Sequence, residues 1–331
     1  MDAPEISIVM PLFNKEREVS RAIRSVLAQT FHSYEIIVVN DGSTDNGPAI
    51  LRAINDPRIH IIDQKNAGVS AARNRGINEG KADLIAFLDA DDEWLPNFLE
   101  TISRLKSNFP SCSVFATNYL YQNVDGLFMP TIVRGLPKGK WEGVIKNYFK
   151  VASQSDPPIW SSAVAVRKAA LASIGGFPIG VKVGEDLITW AKLGLQYKIA
   201  YSTYPGAIFY LRESLWGRPT RIPDSVDMVG KEFERMLDAE GNKEIRGLKE
   251  YIAHWHQMRA SVFLRLGKRK EAINEVKKIA GYSKKNPKLY VFFAIALLPQ
   301  KICNRVLRTI NYLKYFRRAI ILPKITINIS K

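Results

Sequence analysis

Short apolar runs alternate with stretches of helical period through the first hundred residues. Ile6 to Met10 reads as a strand, and Pro11-Leu12-Phe13-Asn14 as the turn that leaves it. Val19, Ile23, Val26 and Leu27 then recur at helical spacing, with Lys, Glu and Arg between them. Tyr34 to Val39 is a second β-rich run that ends in the turn-forming Asn40-Asp41-Gly42-Ser43. Ile50 to Ile54 predicts a helix and Arg58 to Ile62 a short strand. Asn66-Ala67-Gly68 precedes a small-residue helix, Val69 to Asn78. Leu84 to Leu88 is continuous and apolar, as a strand covered on both faces of a parallel sheet should be. Strands alternating with helices predict βαβ units and an α/β domain with a mainly parallel sheet.

The alternation weakens after about residue 120. Leu136 to Lys140 is a Pro/Gly/Lys connection, and Trp141 to Val151 has helical spacing. Ala163 to Val166 predicts a strand, Arg167 to Ile174 a helix, and Gly175-Gly176-Phe177-Pro178 a break. Glu185-Asp186 opens a predicted helix over Leu187–Leu195, and Ile208 to Leu211 is the last predicted strand. From Ser225 the pattern is helical throughout: Val226–Leu237, Ile245–Leu266, Arg269–Ala280 and Leu289–Leu313. Two of these, from Trp255 to Ile279, form a predicted hairpin joined near Gly267.

Several carboxylates fall at the ends of these elements. In open α/β sheets the ligand crevice lies outside the carboxyl ends of the strands. Asp41 stands there after the second strand, and Leu88-Asp89-Ala90-Asp91-Asp92 follows a later one. Three carboxylates in one partly dry place repel unless a cation joins them. Mn²⁺ or Mg²⁺ bridging to substrate phosphates meets that need. A nucleoside diphosphate accounts for the whole set, with one acceptor for a base edge, one for the ribose and one for the metal. Each acid has a plainer reading too: Asp41 as a turn residue, Asp92 or Glu93 and Asp186 as carboxylates at helix N-termini, and Asn14 as an N-cap. Arg73 and Arg75 lie on the small-residue helix, from which an arginine can reach a phosphate or base edge.

Composition divides the chain in two. Residues 1–240 carry 27 Lys+Arg against 28 Asp+Glu, a net of −1, whereas residues 241–331 carry 21 against 4, a net of +17. We therefore expect a domain over residues 1–220 and a strongly basic helical region over 221–331. The longest apolar run, Leu289 to Leu298, is ten residues against the ~20 of a spanning helix. Cys112 and Cys303 lack metal-ligand spacing, and a reducing, cytoplasmic setting is expected. No Gly-x-x-x-x-Gly-Lys-Ser/Thr loop is present, nor Gly-x-Gly-x-x-Gly after the first strand, which argues against P-loop kinases and common dehydrogenases.

The segments Ile6 to Asn14, Ser25-Val26-Leu27-Ala28-Gln29-Thr30, Val39 to Asp45, Asn66 to Asn74 and Leu88 to Asp92, in this order and spacing, closely resemble the family 2 glycosyltransferases. The resemblance covers about residues 6–215 and is strongest to residue 100. It implies a GT-A fold and an inverting, metal-dependent transfer from a nucleotide sugar. By that resemblance Pro11, Phe13 and Asn14 lie along the nucleoside, Asp41 reads the base and Arg73 contacts the nucleotide. Asp89 binds the ribose or sugar, Asp91 the Mn²⁺ or Mg²⁺, and Asp186 of Gly184-Glu185-Asp186 deprotonates the acceptor hydroxyl, with Glu185 the competing base. Ser161 to Val166 resembles the segment lining the acceptor side. Tyr210-Leu211-Arg212 resembles the closing motif, but Glu213 and Ser214 stand where a histidine often follows; Arg212 remains a diphosphate contact. The implied donor is a UDP-sugar and the implied acceptor a glycan or lipid-linked glycan of surface polysaccharide. The alternative is a non-catalytic glycan- or partner-binding protein on a GT-A scaffold, against which the intact Asp41, Asp89, Asp91 and Asp186 argue.

For the basic region two readings stay open. One is a peripheral element at the inner face of the membrane, where Lys and Arg meet anionic lipid and Trp255, Tyr290, Phe292, Phe293 and Leu297 offer apolar contact. The other is a helical cap on the catalytic domain or another subunit. Nucleic acid is not expected, because no reading motif accompanies the charge.

Overall fold

The computed structural model describes residues 3–211, 222–224, 226–239, 245–283 and 287–321. β1 (Ile6–Leu12), α1 (Val19–Leu27), β2 (Tyr34–Asp41), α2 (Gly47–Arg52), β3 (Ile59–Gln64), α3 (Val69–Glu79) and β4 (Leu84–Phe87) alternate as the pattern predicts. β3, β2, β1 and β4 lie side by side in that order and pair in parallel, which forms the centre of the sheet. Side chains of β2 and β4 are buried along their whole length, which is why both read as continuous apolar runs.

Chain order then gives β5 (Glu93–Trp94), α4 (Phe98–Asn108), β6 (Val114–Gln122), β7 (Phe128–Pro130), β8 (Glu142–Val144), α5 (Tyr148–Gln154), β9 (Val164–Arg167), α6 (Lys168–Ser173), α7 (Glu185–Gln196) and β10 (Ile199–Tyr210). β9 adds antiparallel to β4, followed by β6, β10 and β5. Two expectations are corrected here. Trp141–Val151 is not one helix: Glu142–Val144 pairs with Ala200–Ser202 of β10, and only then does Asn147 begin α5, its side chain accepting from Lys150 N at 2.9 Å. The strand foreseen at Ile208–Leu211 is the end of the longer β10.

The sheet positions the site through two local features. Pro11 sits in β1 opposite Val39, but β4 pairs only with Ile6–Val9, so the amide hydrogen that proline lacks is not needed on that side. After Leu88 N donates to Val9 O, the chain leaves the sheet and the acidic loop begins. On one face α3 lies close against β1, because Gly76 fits over Val9, whose Cγ1 would stand 2.4 Å from any Cβ there.

Contacts group the chain into two compact units, and neither is a single stretch of sequence. The first is Met1–Tyr119, Val133–Phe209 and Ser225–Ile252; the second is Leu120–Ile132, Tyr210–Asp224 and Ala253–Lys331. α8 (Met228–Ala239) belongs to the first, where Lys192 on α7 pairs with Glu232 at 3.0 Å. α9 (Leu248–Arg265) runs from the first unit into the second, which also holds α10 (Arg269–Tyr282), α11 (Pro287–Leu297) and α12 (Gln300–Ile321). The hairpin near Gly267 is present, its turn made by glycine at φ 77°. Leu289–Leu313, read as one helix, breaks at Pro299, whose ring leaves no amide hydrogen to continue α11.

The second unit has its own core of Phe263, Leu264, Ala272, Ile295, Ala296, Cys303 and Leu307. Beside it Glu275 is buried between His256 Nδ1 at 2.6 Å and Arg259 Nε at 3.0 Å. Burial alone would raise this carboxyl, but the hydrogen bond with His256 and the charge of Arg259 bring it below its ordinary value. Trp255 is buried, so it is not the interfacial residue expected, while Phe292 is partly buried and packs against the core. Tyr290, Val291, Phe293 and Leu297 of α11 are exposed. Among the described residues no helix is long and apolar enough to cross a membrane.

Candidate active site

The carboxyl ends of β1, β2 and β4 gather most of the expected residues. Asp41 closes β2 with its side chain buried. Its Oδ1 accepts from Ala67 N at 2.9 Å and Gln64 Nε2 at 2.7 Å, and its Oδ2 from Gly68 N at 2.9 Å. A carboxylate has about four acceptor sites, so the three bonds from Gln64 at the end of β3 and from the loop after it leave one acceptor site open. Asp41 is thus the anchor of that loop, and the loop in turn fixes its carboxylate.

Pro11, Phe13 and Asn14 line the exit of β1, with Phe13 46% exposed. Asn14 adopts φ 51°, which Asn tolerates better than most residues. Its amide oxygen accepts from Thr44 N at 2.8 Å and its own N–H donates to Ser43 Oγ at 3.1 Å. Asn14 therefore ties the first loop to the second; it does not cap α1, which begins after Glu18 without a side-chain cap.

The acidic loop is held from below. Ser162 Oγ accepts from Asp89 N at 3.1 Å and donates to Asp92 Oδ2 at 2.5 Å, while Trp160 Nε1 donates to the same oxygen at 3.1 Å. The Ser161–Val166 segment thus supports this loop. α1 clamps the loop's exit. Ser25 Oγ accepts from Trp94 N at 3.0 Å, and Gln29 reaches Leu95 O at 2.8 Å and Leu99 N at 3.0 Å. This explains why Ser25 and Gln29 belong to the quoted motif.

The three loop acids differ. Asp92 is buried, with no hydrogen-bond partner for Oδ1. Burial first, then the charges of Asp91 and Asp89, push its carboxyl well above the ordinary range. Asp91 is partly exposed and forms an ion pair with Lys15 at 2.8 Å, while Arg21 donates to its backbone oxygen at 2.6 Å. Asp89 accepts from Arg73 at 2.7 Å. An all-oxygen donor set with mutual repulsion and an orphaned buried carboxylate oxygen fits a hard divalent cation.

Arg73 does not point outward. It is buried on α3, bridging Asp89 at 2.7 Å and Glu185 at 3.0 Å, with Phe177 under its guanidinium at 5.0 Å. Burial by itself would lower its pKa, but Asp89 and Glu185 more than offset this and hold it charged. Arg75, by contrast, is exposed and pairs with Glu79.

Asp186 stands in the first turn of α7, after Gly184 in the left-handed region at φ 85°. Its Oδ1 accepts from Leu187 N at 2.9 Å. Burial and then the Glu185 charge push its carboxyl up to about 7, against the lowering pull of Arg73 and the Leu187 amide. A carboxylate tuned to that range is suited to take a proton near neutrality. Arg212 lies outside the described residues.

Four supporting residues had no role assigned from the sequence: Lys15, Arg21, Trp160 and Asn74. Asn74 had a signal, since it stands inside a quoted motif. The other three carry none, because their partners are 68 to 76 positions away.

The model described as "Glycosyl transferase family 2" matches residues 7–173. The glycosyltransferase GlyA of Streptococcus pneumoniae serotype 4 is 30% identical over 187 residues, which is 55% of this chain and 27% of that protein. The chain thus covers about a quarter of that curated relative. Among solved structures, S. aureus TarS 1–349 in complex with UDP-GlcNAc gives a TM-score of 0.62 at 19% identity, covering 95% of this chain and 92% of that one. The mannosyltransferase PcManGT from Pyrobaculum calidifontis, in complex with GDP-Man and Mn²⁺, gives 0.53 at 15% identity, covering 95% and 87%. At such identities the likeness is one of fold, and that fold is the expected GT-A architecture.

Proposed function

Since the chain belongs to glycosyl transferase family 2, we propose that it is an inverting, metal-dependent glycosyltransferase that moves a sugar from a UDP-sugar to a hydroxyl of a glycan or lipid-linked glycan in surface polysaccharide synthesis. One observation carries this reading. Asp41 and the Asp89–Asp91 loop lie at the carboxyl ends of β2 and β4, the parallel strands on either side of β1, and Arg73 joins Asp89 to Glu185, 112 positions from Arg73 and next to Asp186. The bound UDP-GlcNAc of TarS supports the donor class, and the GDP-Man and Mn²⁺ of PcManGT support the pairing of nucleotide sugar and metal.

Asp91, with Asp89 and Asp92 beside it, would hold the Mn²⁺ or Mg²⁺. The chemistry such a cation supplies is neutralisation of the charge that grows on the leaving diphosphate. In the proposed reaction an acceptor oxygen forms a bond to the anomeric carbon as the bond to the diphosphate oxygen breaks, and Asp186 takes the hydroxyl proton. Asp41 and the loop of Pro11, Phe13 and Asn14 orient the nucleoside. The test is UDP release from UDP-sugars with Mn²⁺, together with a thermal-shift screen of UDP, GDP and dTDP. UDP at 100 times its Kd should stabilise the protein by about 2.7 kcal/mol. Stabilisation without release on any UDP-sugar would favour the non-catalytic scaffold instead.

The same reading includes a peripheral position at the cytoplasmic face of a membrane. On α11 and the start of α12, Tyr290, Val291, Phe293, Leu297 and Ile302 are exposed, and Lys301, Arg305 and Arg308 are exposed nearby. Aromatic and aliphatic side chains beside basic ones suit anionic lipid. The chain should sediment with phosphatidylglycerol vesicles at low salt and far less with phosphatidylcholine alone. Equal sedimentation with both would remove this part of the reading.

A further inference from the structure

We propose that Arg73 is a positioning residue that sets the register of the Glu185-Asp186 pair against the donor-side loop, and that it does not contact the nucleotide. The kinetic part of this proposal rests on the glycosyl-transfer reading above; the structural part does not.

The guanidinium is enclosed by three elements. Its two terminal nitrogens reach Asp89 after β4 and Glu185 at the start of α7, and Phe177 covers its face. Only 3% of the residue is exposed, which leaves little surface for a nucleotide. Nε has no hydrogen-bond partner, so the placement is dictated by the two carboxylates. A buried unpaired donor is unfavourable and persists here because both terminal nitrogens are engaged.

The next residue on α3 completes the arrangement. Asn74 Nδ2 donates to Phe177 O at 2.8 Å, and Phe177 N donates to Asn74 Oδ1 at 2.8 Å. Gly176 makes the corner at φ 69°, where a Cβ would stand 2.5 Å from Asn74 Oδ1. Pro178–Gly184 is a partly exposed loop. Consecutive residues of α3 pin its two ends, Asn74 at Phe177 and Arg73 at Glu185. Asp186 is the very next residue, so its position follows from the second pin. A fork that grips two carboxylates on different elements requires arginine; a lysine ammonium offers no such fixed geometry.

Arg73→Lys and Glu185→Gln test this in the full chain. Each should bind UDP with Mn²⁺ within about threefold of wild type by calorimetry, while kcat for UDP release falls about 10²-fold, the scale of a 1 Å misplacement. Donor KM should stay near wild type. Amide hydrogen exchange should quicken across residues 178–186 in both variants, a readout that needs no turnover. Loss of UDP affinity by tenfold or more with kcat retained in Arg73→Lys would make Arg73 a nucleotide contact and overturn the proposal. Unchanged exchange over 178–186 in both variants would overturn it as well. If wild type neither binds nor releases UDP, the proposed function falls, and the exchange experiment still decides the role of Arg73.

Discussion

Asp186→Asn is expected to lower transfer by about 10²–10⁴-fold, the usual contribution of a positioned general base, while affinity for UDP and Mn²⁺ stays within about twofold of wild type. The substitution keeps the shape of the side chain and its bond from Leu187 N, but removes the acceptor of the proton. The wild-type rate should also rise with pH through about 7, because the burial of Asp186 and the charge of Glu185 place its carboxyl there and only the deprotonated form can act. Glu185 on the same helix and Arg73 and Asp89 across from it are the charges that set this point. Kinetics of UDP release from pH 5 to 9, with parallel calorimetry, measure both effects. Near wild-type turnover in Asp186→Asn would remove the assignment and leave Glu185 as the base.

The second large effect concerns Asp91. Asp91→Asn should weaken Mn²⁺ binding by more than about 100-fold, since even the groups that orient a ligand are worth 10–100-fold in affinity. Donor binding that depends on the ion should weaken with it. The substitution also leaves Lys15 without the carboxylate charge it meets at 2.8 Å. A titration of free Mn²⁺ followed by electron paramagnetic resonance reads the affinity directly. An unchanged affinity would move the ligand role to Asp92 or Asp89, whose carboxylates share the loop.

The parallel centre of the sheet was legible because strands buried on both faces must be apolar throughout, as Ile36–Val39 and Leu84–Phe87 are. The acidic loop was legible because its three carboxylates follow a buried strand and the other quoted segments stand in order and spacing around it. The edge was harder. Glu142–Val144 carries no strand signal of its own and is a strand only because β10 lies beside it. Arg73 was recognised as important, yet its orientation was not, since its two partners stand 16 and 112 positions away. Trp255 has an interfacial side chain by type and a buried one in fact.

The sequence by itself determined the family, the alternating elements, and the chemical types at the ends of β1, β2 and β4. Those properties are local: periodicity and turn chemistry act over a few residues, and the motifs keep their spacing. Only the tertiary structure decided which charges meet. Asp91 faces Lys15, Asp92 is gripped by Ser162 and Trp160, and Arg73 turns inward to join Asp89 to Glu185. Such pairings depend on burial and on approach between distant segments, where the cost of an unpaired charge selects a partner that no local pattern encodes.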